Sequence, residues 1–236
     1  MRARPRMIVL VGVDGAGKST AARRLANELT ASGTPARYFE NAGGRPIIDA
    51  LAHRLGRRDG RHLLGNRGYL GVEVTIRWLA ITRAVTLSTL TRRVAVMDRY
   101  TYCQYAIMRA RGDSRPTRRP TDDQDLWEAI DTSGGHGRGF NRSDPQTGGH
   151  AERLVRLLYA PFPKPDATFY LAVPPEKAAR RVQARGRDVE DPIYLAAFAA
   201  AYHTLPEFPG FTVIDASGNA EELLATIQSH RCPLND

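Results

Sequence analysis

Residues 7–25 read "MIVLVGVDGAGKSTAARRL". An apolar run of strand character enters a loop crowded with glycine, and a helix-forming stretch leaves it. The loop spells G-x-x-x-x-G-K-S through Gly12, Gly17, Lys18 and Ser19, with Gly15, Ala16 and Thr20 completing the cradle. A strand before and a helix after separate a phosphate-binding loop from a chance run of glycines. The spacing has a physical reason. Glycines let consecutive backbone N–H groups turn toward one centre, the following helix N-terminus adds positive potential, and a lysine reaches the outer phosphates. A hydroxyl at Ser19 suits a phosphate-bound Mg2+. The stretch implies an α/β protein that binds a nucleoside triphosphate.

Outward from the loop, apolar runs recur at "RVAVMD" (93–98), "ATFYLAV" (167–173) and "FTVIDA" (211–216), with a shorter one at "ARYFE" (36–40) after the turn signal "SGTP". Near-continuous apolar strands are expected where a parallel sheet is covered on both faces. Helical patterns fill the gaps at 18–31, about 46–57, about 67–91, 151–159, 175–185, about 192–204 and 219–230. Such alternation predicts a doubly wound parallel sheet. One stretch breaks it. From about Arg109 to His150 the chain is rich in Gly, Arg, Asp, Ser and Pro, with one short helical run, "DDQDLWEAI" (122–130). It reads as a polar insertion whose arginines, Arg109 and Arg111 among them, alternate with acids as a solvated segment. A lid, a contact surface and disorder all fit that composition.

The 236 residues suit one α/β domain, and at 42% hydrophobic and 25% charged the chain can bury a proper core. The formal net charge is +9, and only three of the 34 basic residues are lysines. Arginine's planar fork suits phosphate, which directs attention to nucleotides and nucleic acid, while arginine-rich coding accounts equally well for surface positions. Cys103 and Cys232 match no metal or disulfide spacing and fit a reducing cytoplasm. The apolar run after the basic opening leads into a glycine loop without the cleavage pattern of a signal peptide. No stretch approaches the roughly 18 apolar residues of a membrane span.

In "VAVMDRY" (94–100) an apolar strand ends in Asp98, suited to steady Mg2+ beside a phosphate loop, and Arg99 follows at the strand's carboxyl end. Open α/β sheets place their ligands at such ends. Helix capping by Asp98 and a surface ion pair for Arg99 are the competing readings.

Here the chain resembles a family. "GVDGAGKST", "DRY" and the later "PPEKAARRVQARGRDVED" look like thymidylate kinase, one of the P-loop nucleoside monophosphate kinases, and "FTVIDASGNAEELLATI" fits that family's last strand and helix. The resemblance implies a three-layer P-loop kinase fold, a five-stranded parallel sheet with helices on both faces, in one domain over 1–236 with a lid at about 180–191. It implies transfer of the γ-phosphoryl group of ATP–Mg2+ to a nucleoside monophosphate, dTMP first, and commonly a homodimer. By position, Asp14 stands where the family has an acid near the acceptor, and Arg99 where an arginine holds the acceptor phosphate. Arg83 in "LAITR" matches an arginine touching base and phosphate, and Gln104 an amide for the base edge. Arg181 and Arg185, four apart and hence on one helix face, match lid arginines, with Arg180 and Arg187 as substitutes.

The chain also departs from the family pattern. "ENAGG" (40–44) stands for "REPGG", so Glu40 replaces an arginine and Arg45 follows in its stead. The aromatic expected four residues before Arg83 is Leu79, "AYQ" becomes "AIM" (106–108), and the insertion is longer than the family needs. These differences keep open a kinase of another small acceptor, a deoxynucleoside or a modified nucleotide. A nucleotide-dependent nucleic-acid binder is the reading from another class. The insertion lacks the aromatic interleaving of base-stacking platforms, which weighs against it.

Overall fold

The computed structural model describes residues 6–41, 60–113, 149–186 and 190–230. In chain order these form β1 (Met7–Val11), α1 (Lys18–Ala31), β2 (Ala36–Glu40), α2 (Gly60–Thr91), β3 (Val94–Asp98), α3 (Thr101–Asp113), α4 (His150–Tyr159), β4 (Ala167–Ala172), α5 (Pro175–Ala184) and α6 (Pro192–His203). A 3-10 turn (Phe208–Gly210), β5 (Thr212–Asp215) and α7 (Ala220–Ser229) complete them. The expected helices at 46–57 and 122–130 lie outside the described residues, as do Arg45 and Arg187.

All strand pairs are parallel, in the order β2-β3-β1-β4-β5. β1 and β3, flanked on both sides, bury every residue, which is why they read as unbroken apolar runs. β2 at the edge buries Ala36 and Phe39 and leaves Arg37 and Glu40 exposed. Right-handed crossovers send α1 to one face and the connections after β2, β3 and β4 to the other. Accordingly α1 packs against α7, while α3 packs against α4 and α6. The chain therefore diverges to opposite faces after β1 and after β3, two strands that are neighbours. A crevice opens at their carboxyl ends, the usual ligand position in open α/β sheets. Among the described residues, no helix is long and apolar enough to cross a membrane.

Two sequence expectations are corrected here. The helix expected from about 67 begins at Gly60, and the polar insertion expected from about Arg109 begins later, because α3 runs to Asp113. Arg109 and Arg111 are not solvated. Arg109 grips Glu152 of α4 through Nε and Nη2, both at 2.9 Å, and donates through Nη1 to Thr204 O at 2.6 Å. Arg111 holds Glu73 of α2 with two bonds of 2.6 and 3.0 Å. Arg156 adds a 2.9 Å bond to Glu152, pairs with Glu207 at 2.5 Å and lies 4.0 Å over the Tyr105 ring. Glu152 is thus an inward acid on an outward-leucine helix: it is 3% exposed, whereas Leu154 is 64% and Leu157 70% exposed.

Burial alone would raise the Glu152 pKa, but the bonds from Arg109 and Arg156 hold it below the ordinary carboxylate value. A depressed carboxyl pKa contributes stability above the unfolded value and loses it as pH falls through the folded one. Glu152→Gln should therefore cost about 2–3 kcal/mol at neutral pH in urea unfolding. The gap from wild type should close in acid, below the ordinary carboxylate range. A gap independent of pH would assign the loss to packing.

Candidate functional site

The phosphate loop fills the crevice between β1 and α1. Gly12 and Gly15 have positive φ, +140° and +86°, and both back onto main chain. A Cβ on Gly12 would lie 2.7 Å from Leu171 O at the end of β4, and one on Gly15 would strike the Ala178 backbone of α5. The loop is thus pressed between two elements with no room for a side chain on that side. α1 starts at Lys18, leaving its first backbone N–H groups directed into the loop. The Lys18 ammonium is 5% exposed, donates to Val13 O at 2.6 Å and lies 3.7 Å from Asp14 Oδ1. Desolvation lowers its pKa, the Asp14 carboxylate opposes that shift, and the Arg99 charge adds to it.

Register brings the second half of the site alongside. Leu10 of β1 pairs with Asp98 of β3, and the Arg99 N–H donates to Leu10 O at 3.0 Å. Arg99 has φ +75°, a conformation that a side chain other than glycine adopts only when its surroundings impose it. The turn aims its guanidinium back at the loop, where Nη2 pairs with Asp14 Oδ1. That carboxylate is the main cause raising the Arg99 pKa. Ser19 Oγ donates to Asp98 Oδ2, while Asp98 Oδ1 is buried without a hydrogen-bond partner. A hydroxyl and a buried carboxylate with an oxygen to spare, beside a phosphate cradle, fit a hard divalent cation. Arg185, just past α5, closes the cleft opposite Gly15, Lys18 and Thr20. Lys18, Arg99 and Arg185 therefore surround one space with three cations and one acid, Asp14.

On the other side of Arg99 lies a buried polar group of residues. Asn41, at the end of β2, donates through Nδ2 to Arg99 O at 2.9 Å. Arg77 of α2, 1% exposed, donates through Nε to Gln104 Oε1 at 3.1 Å and through Nη1 to Asn41 O at 3.4 Å. Asn41 Oδ1 and Gln104 Nε2 are buried and unpaired. Of the residues expected on this side, Gln104 belongs to this buried group and two lie apart from it. Arg83 is exposed and Leu79 is 57% exposed. The buried stripe of α2 runs through Tyr69, the adjacent pair Glu73 and Val74, then Arg77, Ile81, Ala84 and Ser88 at steps of three and four, a face that excludes both 79 and 83. The sequence held the signal: an arginine on an apolar helical stripe is either paired or functional.

The lid arginines also separate. Arg185 reaches the cleft, but Arg181 donates to the carbonyls of Ala216, Ser217 and Gly218 at 2.9, 3.2 and 3.0 Å, pinning the turn after β5. Arg180 is turned back onto Glu176 O at 3.3 Å.

Comparison with known proteins bears on the family. The family model described as thymidylate kinase matches residues 146–227, a stretch that holds α4 to β5, Arg181 and Arg185 but not the phosphate loop. A thymidylate kinase of Chlorobium chlorochromatii (strain CaD3) is 24% identical over 185 residues, which is 76% of this chain and 65% of that protein. Both results name the family that the motifs resemble.

Gly15→Ala tests the cradle directly, since its methyl group has only the Ala178 backbone to meet. Affinity for an ATP analogue in calorimetry should fall at least about tenfold, a loss of 1.4 kcal/mol or more, with the sheet intact by circular dichroism. Unchanged affinity would show that the loop and α5 separate freely.

Proposed function

We propose that this chain, similar to thymidylate kinases in both comparisons, is a cytoplasmic nucleoside monophosphate kinase that moves the γ-phosphoryl group of ATP to dTMP. One observation carries the reading: Asp14, inside the donor loop, is paired with Arg99, on the turn that faces Asn41 and Gln104. A phosphate loop by itself has no use for an acid at that position. An acid there makes sense where a second, acceptor-binding cation must be held against the loop.

The proposed step needs no covalent nucleophile from the protein. An acceptor phosphate oxygen attacks the γ-phosphorus, the bond to the β–γ bridging oxygen breaks, and ADP leaves with the electron pair. Lys18 and the α1 N-terminus hold the donor phosphates, Arg99 holds the acceptor phosphate, and Arg185 supplies charge across the transferring group. Ser19 and Asp98 would hold Mg2+, which when bound neutralises phosphate charge. Catalysis is then positioning and electrostatics with water kept out.

Base preference follows from hydrogen-bond direction. Arg77 donates to Gln104 Oε1 and so fixes which way the amide points, leaving Nε2 as its unpaired group. A donor favours the carbonyl of a thymine or uracil edge and leaves a cytosine amino group unmatched. A second reading, a kinase of a modified nucleotide or a deoxynucleoside, is favoured by Glu73. It lies one turn before Arg77 on the same stripe and is charge-paired with Arg111, where a flat aromatic face would suit an unmodified base. The exposed leucines of α4, with Leu79 and Leu90 of α2, are the apolar surface that a homodimer would cover.

Two measurements decide. ADP formation with dTMP, dUMP, dCMP and the free nucleosides should be greatest with dTMP, and Gln104→Leu should narrow the dTMP-to-dCMP ratio by about tenfold or more. Equal rates across the panel, or a nucleoside ahead of every monophosphate, would replace dTMP by the second reading. Lys18→Ala should lower turnover at least about a hundredfold without loss of fold. Near-normal ADP formation by that variant would defeat the proposal.

A further inference from the structure

Arg185 lines the cleft and Arg181 does not, yet Arg181 makes three hydrogen bonds to a single turn. It stands in the last turn of α5, and its Nη1 and Nη2 donate to the carbonyls of Ala216, Ser217 and Gly218 between β5 and α7. That turn is itself held from several sides. The Ala216 N–H donates to Ala172 O at the end of β4 at 2.7 Å, and the Ser217 N–H to Asp215 Oδ1 at 2.8 Å. Asn219, next along, caps α7 by accepting from the N–H groups of Glu221 and Glu222. A guanidinium bonded to three carbonyls of a turn fixed in this way anchors the helix that carries it.

The anchor joins the two layers that supply cations to the cleft. Lys18 begins α1, which packs against α7 on one face of the sheet, whereas α5 packs against α6 on the other. Arg181 crosses between the layers at the carboxyl edge of the sheet. Along α5 it lies three residues after Ala178, whose backbone backs Gly15 of the phosphate loop. It lies four residues before Arg185, just past the helix end. At 1.5 Å per residue, one stiff stretch of about 10 Å therefore backs the loop at one end and delivers Arg185 to the cleft at the other. Arg181 ties down the middle of that stretch.

We propose that Arg181 is a positioning residue. By tying α5 to the turn after β5, it sets where Arg185 stands relative to Lys18, and so how charge is placed across the transferring phosphoryl group. The inference rests on the phosphotransferase reading above, and it gives Arg181 no contact with either nucleotide. Losing the tie leaves the phosphate loop and the acceptor side formed but lets Arg185 stray. Such misplacement acts on the transfer step more than on affinity.

Arg181→Met, which keeps an unbranched stem and removes the donors, should lower kcat about tenfold while KM for ATP and for dTMP stays within about twofold. Arg185→Met should lower kcat at least as far, and the double variant should be no worse than Arg185→Met alone. Arg181→Lys, whose ammonium cannot span all three carbonyls, should fall between Arg181→Met and wild type. Wild-type kcat in Arg181→Met would overturn the proposal. Losses that multiply in the double variant would overturn it too, because a group acting on the phosphates itself adds its effect to that of Arg185. Amide hydrogen exchange reads the tie without turnover: residues 178–185 should exchange faster in Arg181→Met, with the melting temperature lower by no more than about 2–4 °C. Unchanged exchange over that stretch would overturn the positioning role by itself. A wild-type protein that turns over none of the acceptors would overturn only the phosphotransferase reading.

Discussion

Two cations that line one cleft must be brought out of water next to each other, and the arrangement here depends on one carboxylate between them. Asp14 pairs with Arg99 and lies 3.7 Å from the Lys18 ammonium. Without it, the buried Lys18 ammonium and the partly exposed Arg99 guanidinium would repel each other where water screens incompletely. Burial and the neighbouring Arg99 both push Lys18 toward its neutral form, and Asp14 is the largest influence keeping it charged. One acid shared by two cations, with Arg185 opposite, still leaves the cleft net positive. That surplus is what a polyphosphate with its metal can neutralise.

The shared carboxylate works only because the sheet sets where its partners stand. Leu10 and Asp98 are register partners on adjacent strands, so the loops after β1 and β3 leave from the same level and diverge to opposite faces. Arg99 must then turn back sharply to meet Asp14, and it does so at φ +75°, a conformation that costs about 1–3 kcal/mol for a side chain of this kind. Two hydrogen bonds hold the turn, from the Arg99 N–H to Leu10 O and from Asn41 Nδ2 to Arg99 O, both within 3.0 Å. The strands β1, β2 and β3 are thus tied together at Arg99.

What could be read from the chain, and what could not, divides along how local each signal is. The central strands declared themselves because burial on both faces leaves no polar alternation, and α1 because glycine and lysine mark its start. Asp98, Arg99 and Gln104 lay within a strand and the first turns of the next helix, where spacing alone fixes position. Arg83 stands apart from the buried group because matching a short pattern around one arginine says nothing of which face of a long helix it occupies; the buried stripe carries Arg77, six residues earlier. Arg109 and Arg111 read as solvated because their acids lie 43 and 38 residues away on other helices. The partners of Arg181 are three backbone carbonyls, which leave no mark on a sequence.

The polar atoms left unpaired are unevenly placed, and their placement bears on selectivity. Asn41 Oδ1, Asp98 Oδ1 and Gln104 Nε2 belong to residues around the Arg99 turn, whereas Tyr38 and Ser88 hold isolated hydroxyls elsewhere. A buried polar atom without a partner costs about 1–3 kcal/mol. Asn41 Oδ1 and Gln104 Nε2, one acceptor and one N–H donor near one turn, therefore carry an unmet hydrogen-bond demand, while Asp98 Oδ1 is the oxygen that fits a cation. Arg77 makes this demand directional, because it commits Gln104 Oε1 and leaves the amide no freedom to exchange donor for acceptor. Asn41 is constrained likewise by donating to Arg99 O. The cost of these unpaired atoms is already built into the folded chain before any ligand arrives.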